Sequence, residues 1–457
     1  MRLLLKECRK LSKSILFWGF VLILIINWKT QFQGVTRQEI GSSSREGSFL
    51  HQPREGESYY GEKPADLETD KKAQEKVMAG AVQTMVREYE SNLYACYPLG
   101  YYKEKSLGSG EQEKVAGYIR EITGCTPEEV ENMPPGYFPA NPVYAEIPAS
   151  GGDGDSSYTI REDGGRFIIE TEQNQGNGAA ETFVSRVSFA RFLEIAGDME
   201  HMIGKDSNYS LNLLKAYYGR AEVYYEEAAK RYGNLTEKDG ITGAFGRLYC
   251  DYMGIMLGIL PAFVVSGLFL KDKKNQMAEL IAVRSAGSWK LIGARYGACI
   301  IMMLIPVLVL TLESLLPLAD YGRKMQIAVD YLGFCKYIGA WLLPTLLAVS
   351  AVSMFLTVLT GTPAAVFVQS AVFFLALQNT ASLSGEYSLF TLNIRHNMLG
   401  GYELIEENLK IICYNRLFLV GIAALFVGLT AAVYCRKRRN GERNYVLENK
   451  FQTLHRK

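Results

Sequence analysis

Residues 248–270 read LYCDYMGIMLGILPAFVVSGLFL. That run can cross a hydrocarbon core of about 30 Å, which takes about 20 apolar residues. Lys271, Asp272, Lys273 and Lys274 stop it. The next ten residues, Asn275–Arg284 (NQMAELIAVR), are too polar and too few to span. Their Met277, Leu280 and Ile281 share one helical face, while Glu279 and Arg284 lie away from it. Ser285–Gly287 breaks this helix, with Gly287 expected in the left-handed position and Ser288 as the next cap. A second apolar run follows over 289–316, entered through Trp289, Lys290 and Arg295. The order is span, short amphipathic helix over 271–288, span. Such a helix lies at the membrane surface and offers a charged face there. An interfacial turn with no partner accounts for the same residues, since charged faces are usually just solvated.

The expected fold class is an all-α polytopic membrane protein with six spans and a large, mostly helical extracytoplasmic domain between spans one and two. The chain has 457 residues, a formal net charge of +1 and 48% hydrophobic residues. Its charge is segregated by segment. Residues 1–13 carry Arg2, Lys6, Arg9, Lys10 and Lys13 against the single acid Glu7, in a partly amphipathic segment leading into the first span, 14–28. No small-x-small cleavage site follows that span, so an uncleaved anchor is expected. Further spans are expected over 335–359, 364–378 and 415–435, then a basic tail over 436–457. The positive-inside rule puts the basic clusters at 2–13, 271–295 and 436–457 in the cytoplasm, with both chain termini. Arg323 and Lys324 are a minor violation.

Residues 29–65 read as a flexible tether, rich in Gly, Ser, Glu and Arg over 34–64. The domain expected over 66–247 has amphipathic helices at Asp66–Tyr94, Glu111–Ile122, Thr182–Ile203 and Leu211–Tyr232. Arg166–Glu170 reads as a strand with Tyr158–Ile160 as hairpin partner. A second extracytoplasmic segment is expected over 379–414. Gly151–Asp155 invites a calcium-loop reading, but Tyr158 and Gly164 occupy the positions that need Gly and Glu, which favours a solvated loop. Asn208 and Asn234 fit the glycosylation sequon. Whether Cys96 and Cys125 are bridged stays open, because sequence gives no distance.

Arg247 and Asp251 sit one turn apart at the outer end of the second span, and Glu313 lies near the outer end of the third. Antiparallel neighbours bring the three to similar depth. Structural pairing, substrate contact and no defined role all remain open for them. The chain has no G-x-x-x-x-G-K-[ST], H-E-x-x-H or G-x-S-x-G, and its histidines are His51, His201, His396 and His455. No catalytic residue, metal site, cofactor or nucleic-acid partner is expected.

With these residues in view, the chain resembles the ABC-2 type permease subunits of bacterial ABC transporters, in the Firmicutes-like form with a large outer domain. The basic N-terminal segment is similar to that family's helix before the first span. Lys271–Arg295 resembles its coupling-helix segment through Glu279, Arg284, Ser285, Gly287, Lys290 and Arg295. Arg247–Gly254 and Gly258–Pro261 resemble its second-span start, and the 359–363 turn with segment 380–413 matches its layout. The resemblance implies a non-catalytic exporter permease working with a separate ATPase subunit and a second permease copy or paralogue. The alternative is a mechanotransmission protein whose outer domain regulates a partner without transport; a polytopic enzyme would need an intramembrane acidic or His cluster, which the sequence does not provide.

Overall fold

The computed structural model describes residues 2–98, 102–134, 137–138, 183–274, 287–378, 387–395 and 399–454, and also 158–163 and 166–171. Of 158–171, 272–274, 377–378 and 440–454 only the backbone is described. The chain is mostly helical, at 73%. It divides into two units, one made of Met1–Ser44, Phe49–Gln52 and Ala229–Lys457, the other of Arg45–Ser48 and Pro53–Ala228.

The first unit starts with α1 (Arg2–Leu11), α2 (Ile15–Asn27), a π-helical turn over Trp28–Phe32, and α3 (Gln33–Gly41). The expected tether over 29–65 is therefore corrected in its first part. The reason is packing. Phe32 is buried and meets Tyr249 edge-on at 5.2 Å and Phe334 at 6.4 Å. Thr36 is also buried, its hydroxyl donating back to the Phe32 carbonyl at 2.8 Å.

The inserted unit runs through β1 (Glu62–Pro64), α4 (Lys71–Ser91), β2 (Tyr94–Cys96), β3 (Lys103–Lys105), α5 (Ser109–Thr123), α6 (Pro127–Glu131), β4 (Tyr158–Asp163), β5 (Arg166–Thr171), α7 (Phe189–Ile203), α8 (Leu211–Tyr217) and β6 (Arg220–Glu222). The strands pair antiparallel as β1–β6, β2–β3 and β4–β5, so the unit is not purely helical. Helix ends follow capping chemistry. Asp70 accepts from the Ala73 N–H, Ser188 from the Arg191 N–H, and Thr126 with Glu129 forms a capping box. The core is a single cluster built on Val77, Met85, Ile119, Phe192, Ile195 and Met199. Gly80 of α4 admits the Tyr218 ring, since a Cβ there would lie 2.4 Å from it. The Tyr218 hydroxyl then meets Thr84 at 2.8 Å.

Two expected helices are corrected here. The one over 182–203 starts only at Phe189, after the Ser188 cap. The one over 211–232 breaks at Tyr218–Gly219, because Arg220–Glu222 pairs with β1 instead. One buried acid is notable. Glu88 accepts from the Ala95 N–H at 2.9 Å, Asn208 Nδ2 at 2.8 Å and the Tyr209 hydroxyl at 2.5 Å. Burial pushes its carboxyl up from the ordinary value of 4.5, against the pull of those three donors. The sequon side chain of Asn208 is thus engaged, and that of Asn234 donates to Glu403 at 3.1 Å. Cys96 and Cys125 are free thiols. The GGDGD stretch lies outside the described residues.

The chain passes through α9 (Tyr225–Gly233) and a π turn at Asn234–Asp239 into α10 (Gly240–Lys274). Then come α11 (Ser288–Lys324), α12 (Gly333–Tyr337) with a π turn over Ile338–Leu342, α13 (Leu343–Thr360), α14 (Ala364–Gln378), α15 (Tyr402–Glu407) and α16 (Leu409–Leu454). Among the described residues five helical stretches are long and apolar enough to cross a bilayer: Ile15–Gly41, Tyr225–Lys271, Ser288–Lys324, Gly333–Thr360 and Leu409–Arg439. α14 is apolar and, among the described residues, has 15 residues, about 22 Å at 1.5 Å each. The expected polar connection from Pro317 is corrected, because α11 continues through Pro306 and Pro317 to Lys324. A proline removes one helical hydrogen bond. Burial of Leu318 and Gly322 on the same helix holds the turn in place. Likewise α16 begins at Leu409, inside the segment expected to lie outside the membrane.

Lipid tails are as apolar as leucine, so packing and polar contacts must hold such helices together. Trp28 Nε1 donates to Ser314 Oγ at 2.8 Å, Tyr249 to the Val307 carbonyl at 2.7 Å, and Tyr296 to the Leu347 carbonyl at 2.9 Å. Ser266 meets Thr357 at 3.0 Å.

Candidate functional site: a polar network along α10

Three arginines organise the network: Arg247 and Arg416 are buried, and Arg395 is partly exposed. Arg247 of α10 has no exposed surface. Its two terminal nitrogens grip both oxygens of Asp239, at 2.6 and 2.5 Å, in the two-pronged geometry that suits a guanidinium. It also donates to the Tyr337 hydroxyl at 3.0 Å and the Leu399 carbonyl at 3.5 Å. Asp239 closes the π turn before α10, and Gly240 follows with φ 66°, a conformation glycine adopts without strain. That turn swings the Asp239 carboxylate back along the helix it precedes.

One turn further, Asp251 is fully buried and receives Arg395 Nε at 2.5 Å. Arg395 belongs to the stretch 387–395, which is neither helix nor strand. Asn393 and Ile394 in it are buried, and Asn393 lies beside Gly254 and Gly258 of α10. A Cβ on Gly258 would come within 2.4 Å of Phe373 and 2.8 Å of Asn393, so glycine is what lets this stretch approach.

Arg416 of α16 supports the same stretch. Its nitrogens donate to the carbonyls of Trp341 (3.0 Å), Thr391 (3.0 Å) and Leu392 (3.3 Å), to Thr345 Oγ1 (2.9 Å) and to Asn415 Oδ1 (2.7 Å). Asn415 Nδ2 takes the Leu389 and Thr391 carbonyls at 2.7 and 2.9 Å. Among the described residues Arg416 has no carboxylate partner. Its charge is met by oriented carbonyl and amide dipoles. Non-helical backbone inside an apolar bundle has carbonyls with no intrasegment partner. Here a cation and an amide supply those partners.

At the other end of α11, Glu7 of α1 and Arg295 are both nearly fully buried, 3.7 Å apart, with Lys10 on Glu7 at 3.0 Å. The Arg295 guanidinium also lies over the Phe269 ring at 5.3 Å.

Of the residues singled out from the sequence, Arg247 and Asp251 are in the network, but each pairs with a residue the sequence reading missed. Glu313 is exposed on α11 and is not part of it. Glu279, Arg284 and Ser285 lie outside the described residues. Gly287 is the N-cap of α11 at φ −57°, not a left-handed residue, and Ser288 is the buried first helical residue behind it. Lys290 is exposed, whereas Arg295 is turned into the protein. The missed residues are Asp239, Arg395, Asn415, Arg416 and Glu7. Arg416 carried a usable signal, an arginine one residue inside an apolar run.

Among the described residues no group of three or more His, Cys, Asp or Glu could hold a metal. The network contains no nucleophile set beside a base. What it can do chemically is fix an irregular segment against α10 and release it only by exchanging charged bonds. No protein-family model, no curated protein and no solved structure matches this chain.

Proposed function

We propose that the chain is the permease subunit of an ABC-2 type exporter in the cell membrane. It moves a substrate outward with ATP hydrolysed by a separate ATPase subunit. In this reading α14 completes six spans, both termini are cytoplasmic, the inserted unit is extracytoplasmic, and a second permease copy or paralogue completes the pathway. One observation carries the reading: the non-helical stretch Leu389–Arg395, whose Asn393 and Ile394 are buried beside α10 and which is tied by Arg395, Asn415 and Arg416. Irregular backbone at membrane depth is tolerated only where protein covers it or a polar path runs beside it, and ionisable groups there mark pathways. A mechanotransmission protein is the second reading, favoured by the inserted unit having a hydrophobic core of its own.

The test is co-purification of an ATPase with the full chain, then ATP turnover and transport in vesicles. Glu279→Lys and Arg284→Glu should weaken association or uncouple hydrolysis from transport. A lost interfacial charge pair is worth about 2–5 kcal/mol if desolvated and under about 1 kcal/mol at a rim. Coupled ATP turnover without transport would select mechanotransmission. Wild-type association and transport in both variants would refute the role of 275–284. External labelling of engineered cysteines in 440–457 would refute the topology.

A further inference from the structure

Helix α1 is amphipathic, but its apolar side is already used. Leu11 and Glu7 are buried, Leu4 lies against Gly297 of α11 within 3.2 Å of a Cβ position, and Glu7 faces Arg295. The one acid of the helix is thereby taken into the protein. On the opposite side Arg2, Lys6, Arg9 and Lys13 are all exposed, and none has an acidic partner among the described residues. Arg2, Lys6 and Arg9, four and three residues apart, lie on one stripe of α1, and Lys13 follows in the turn after Leu11.

The level of this stripe is fixed by its neighbours. Ser14 is extended at φ −90°, ψ 128°, and separates α1 from the apolar α2 by a sharp elbow. Trp18 Nε1 donates back across the elbow to the Ser12 carbonyl at 2.9 Å. Ile15 is 85% exposed and Trp18 59% exposed, so an apolar surface begins two residues after Lys13. A cationic row that ends where an apolar surface begins matches the headgroup layer of a bilayer. Because the apolar face of α1 is docked on α11, the helix does not enter lipid as free amphipathic helices do. Of its leucines only Leu5 is exposed, at 62%, so the free side is mainly charge.

We propose that the Arg2–Lys6–Arg9–Lys13 stripe is a binding surface for anionic lipid headgroups, held rigidly at the bilayer edge by the Glu7–Arg295 contact. Each basic group near an anionic surface strengthens binding about fivefold, and salt screens the effect. The assay is lipid retention by native mass spectrometry on the full chain in detergent, titrated with phosphatidylglycerol, phosphatidylcholine or inorganic phosphate. Wild type should hold phosphatidylglycerol at least about tenfold more tightly than phosphatidylcholine. The preference should vanish in R2Q/K6Q/R9Q/K13Q and at high salt, and survive Lys29→Gln at the far end of α2. The pairs R2Q/K6Q and R9Q/K13Q, each expected to halve the logarithm of the preference, serve if the quadruple variant does not fold. Equal retention of both lipids by wild type overturns the proposal. So does an unchanged preference in the variants, or equal binding of free phosphate. Loss of a protein partner with lipid preference intact would assign the stripe to that partner instead.

Discussion

Removing Arg395 should harm the protein far more than removing Asp251, although the two share one ion pair. Asp251 is completely buried, whereas the Arg395 side chain keeps 21% of its surface exposed. In Arg395→Met a carboxylate is left in the bundle without its guanidinium. Breaking a buried pair this way costs about 3–5 kcal/mol. In Asp251→Asn the guanidinium can turn toward water, and the loss falls to about 1–3 kcal/mol, that of one hydrogen bond to a charged group. The double variant Asp251→Leu, Arg395→Met removes both charges and should lie well below the sum of the single losses, because no buried charge remains. Unfolding of the purified chain in mixed detergent and dodecyl sulfate micelles, followed by tryptophan fluorescence, gives the three values. Equal losses in the two single variants, with additivity in the double, would refute the argument that burial asymmetry controls this pair.

Three further outcomes follow from the structure. Replacing Arg416 with Met strips donors from the Trp341, Thr391 and Leu392 carbonyls and should destabilise by about 1–3 kcal/mol for each buried group left unsatisfied. Hydrogen exchange over 387–395 should rise with it, and Arg416→Lys should restore little, lacking the planar fork. In the inserted unit, Glu88 titrates higher when folded than when unfolded, so the folded unit holds its proton more tightly. Stability is therefore fully present below the unfolded value of 4.5 and declines as pH rises through the raised folded value, with a slope of at most about 1.4 kcal/mol per pH unit. Hydrogen exchange at 94–96 and 207–210 in the full chain should show this slope, and Glu88→Gln should flatten it. Finally, Gly80→Ala drives a methyl against the Tyr218 ring and should cost about 1–3 kcal/mol in thermal unfolding, relieved by adding Tyr218→Ala.

The apolar runs over 248–270 and 289–316 were legible because span length and hydropathy are local properties. Their ends were not. α11 passes Pro317 because Leu318 and Gly322 are buried, which depends on what packs beside them. The helix beyond Trp28 was hidden because Gly34 and its polar neighbours mask the spacing of Phe32 and Thr36, and Phe32 is covered by Tyr249 and Phe334 far along the chain. In the polar network, charge was visible and partnership was not. Asp251 finds Arg395 at a separation of 144 residues, and no spacing rule reaches that far. The Arg166–Glu170 strand, by contrast, pairs with its sequence neighbour Tyr158–Asp163, a local partnership.

The β1–β6 pair has an engineering consequence. Glu62 lies opposite Glu222, so 159 intervening residues start and finish on facing positions of one ladder. Facing positions in an antiparallel pair are about 4.5–5.5 Å apart, a gap that a two-residue hairpin turn closes. Lys63 also reaches Glu227 at 2.5 Å, outside that gap on the returning strand side. The residues between Glu62 and Glu222 thus leave and rejoin a single ladder within the inserted unit. Cutting at this ladder and sealing with Asn-Gly asks the remaining chain for no change in direction at either stump. The same ladder is a ready graft point, where a fluorescent or epitope module with adjacent termini takes the place of the excised residues.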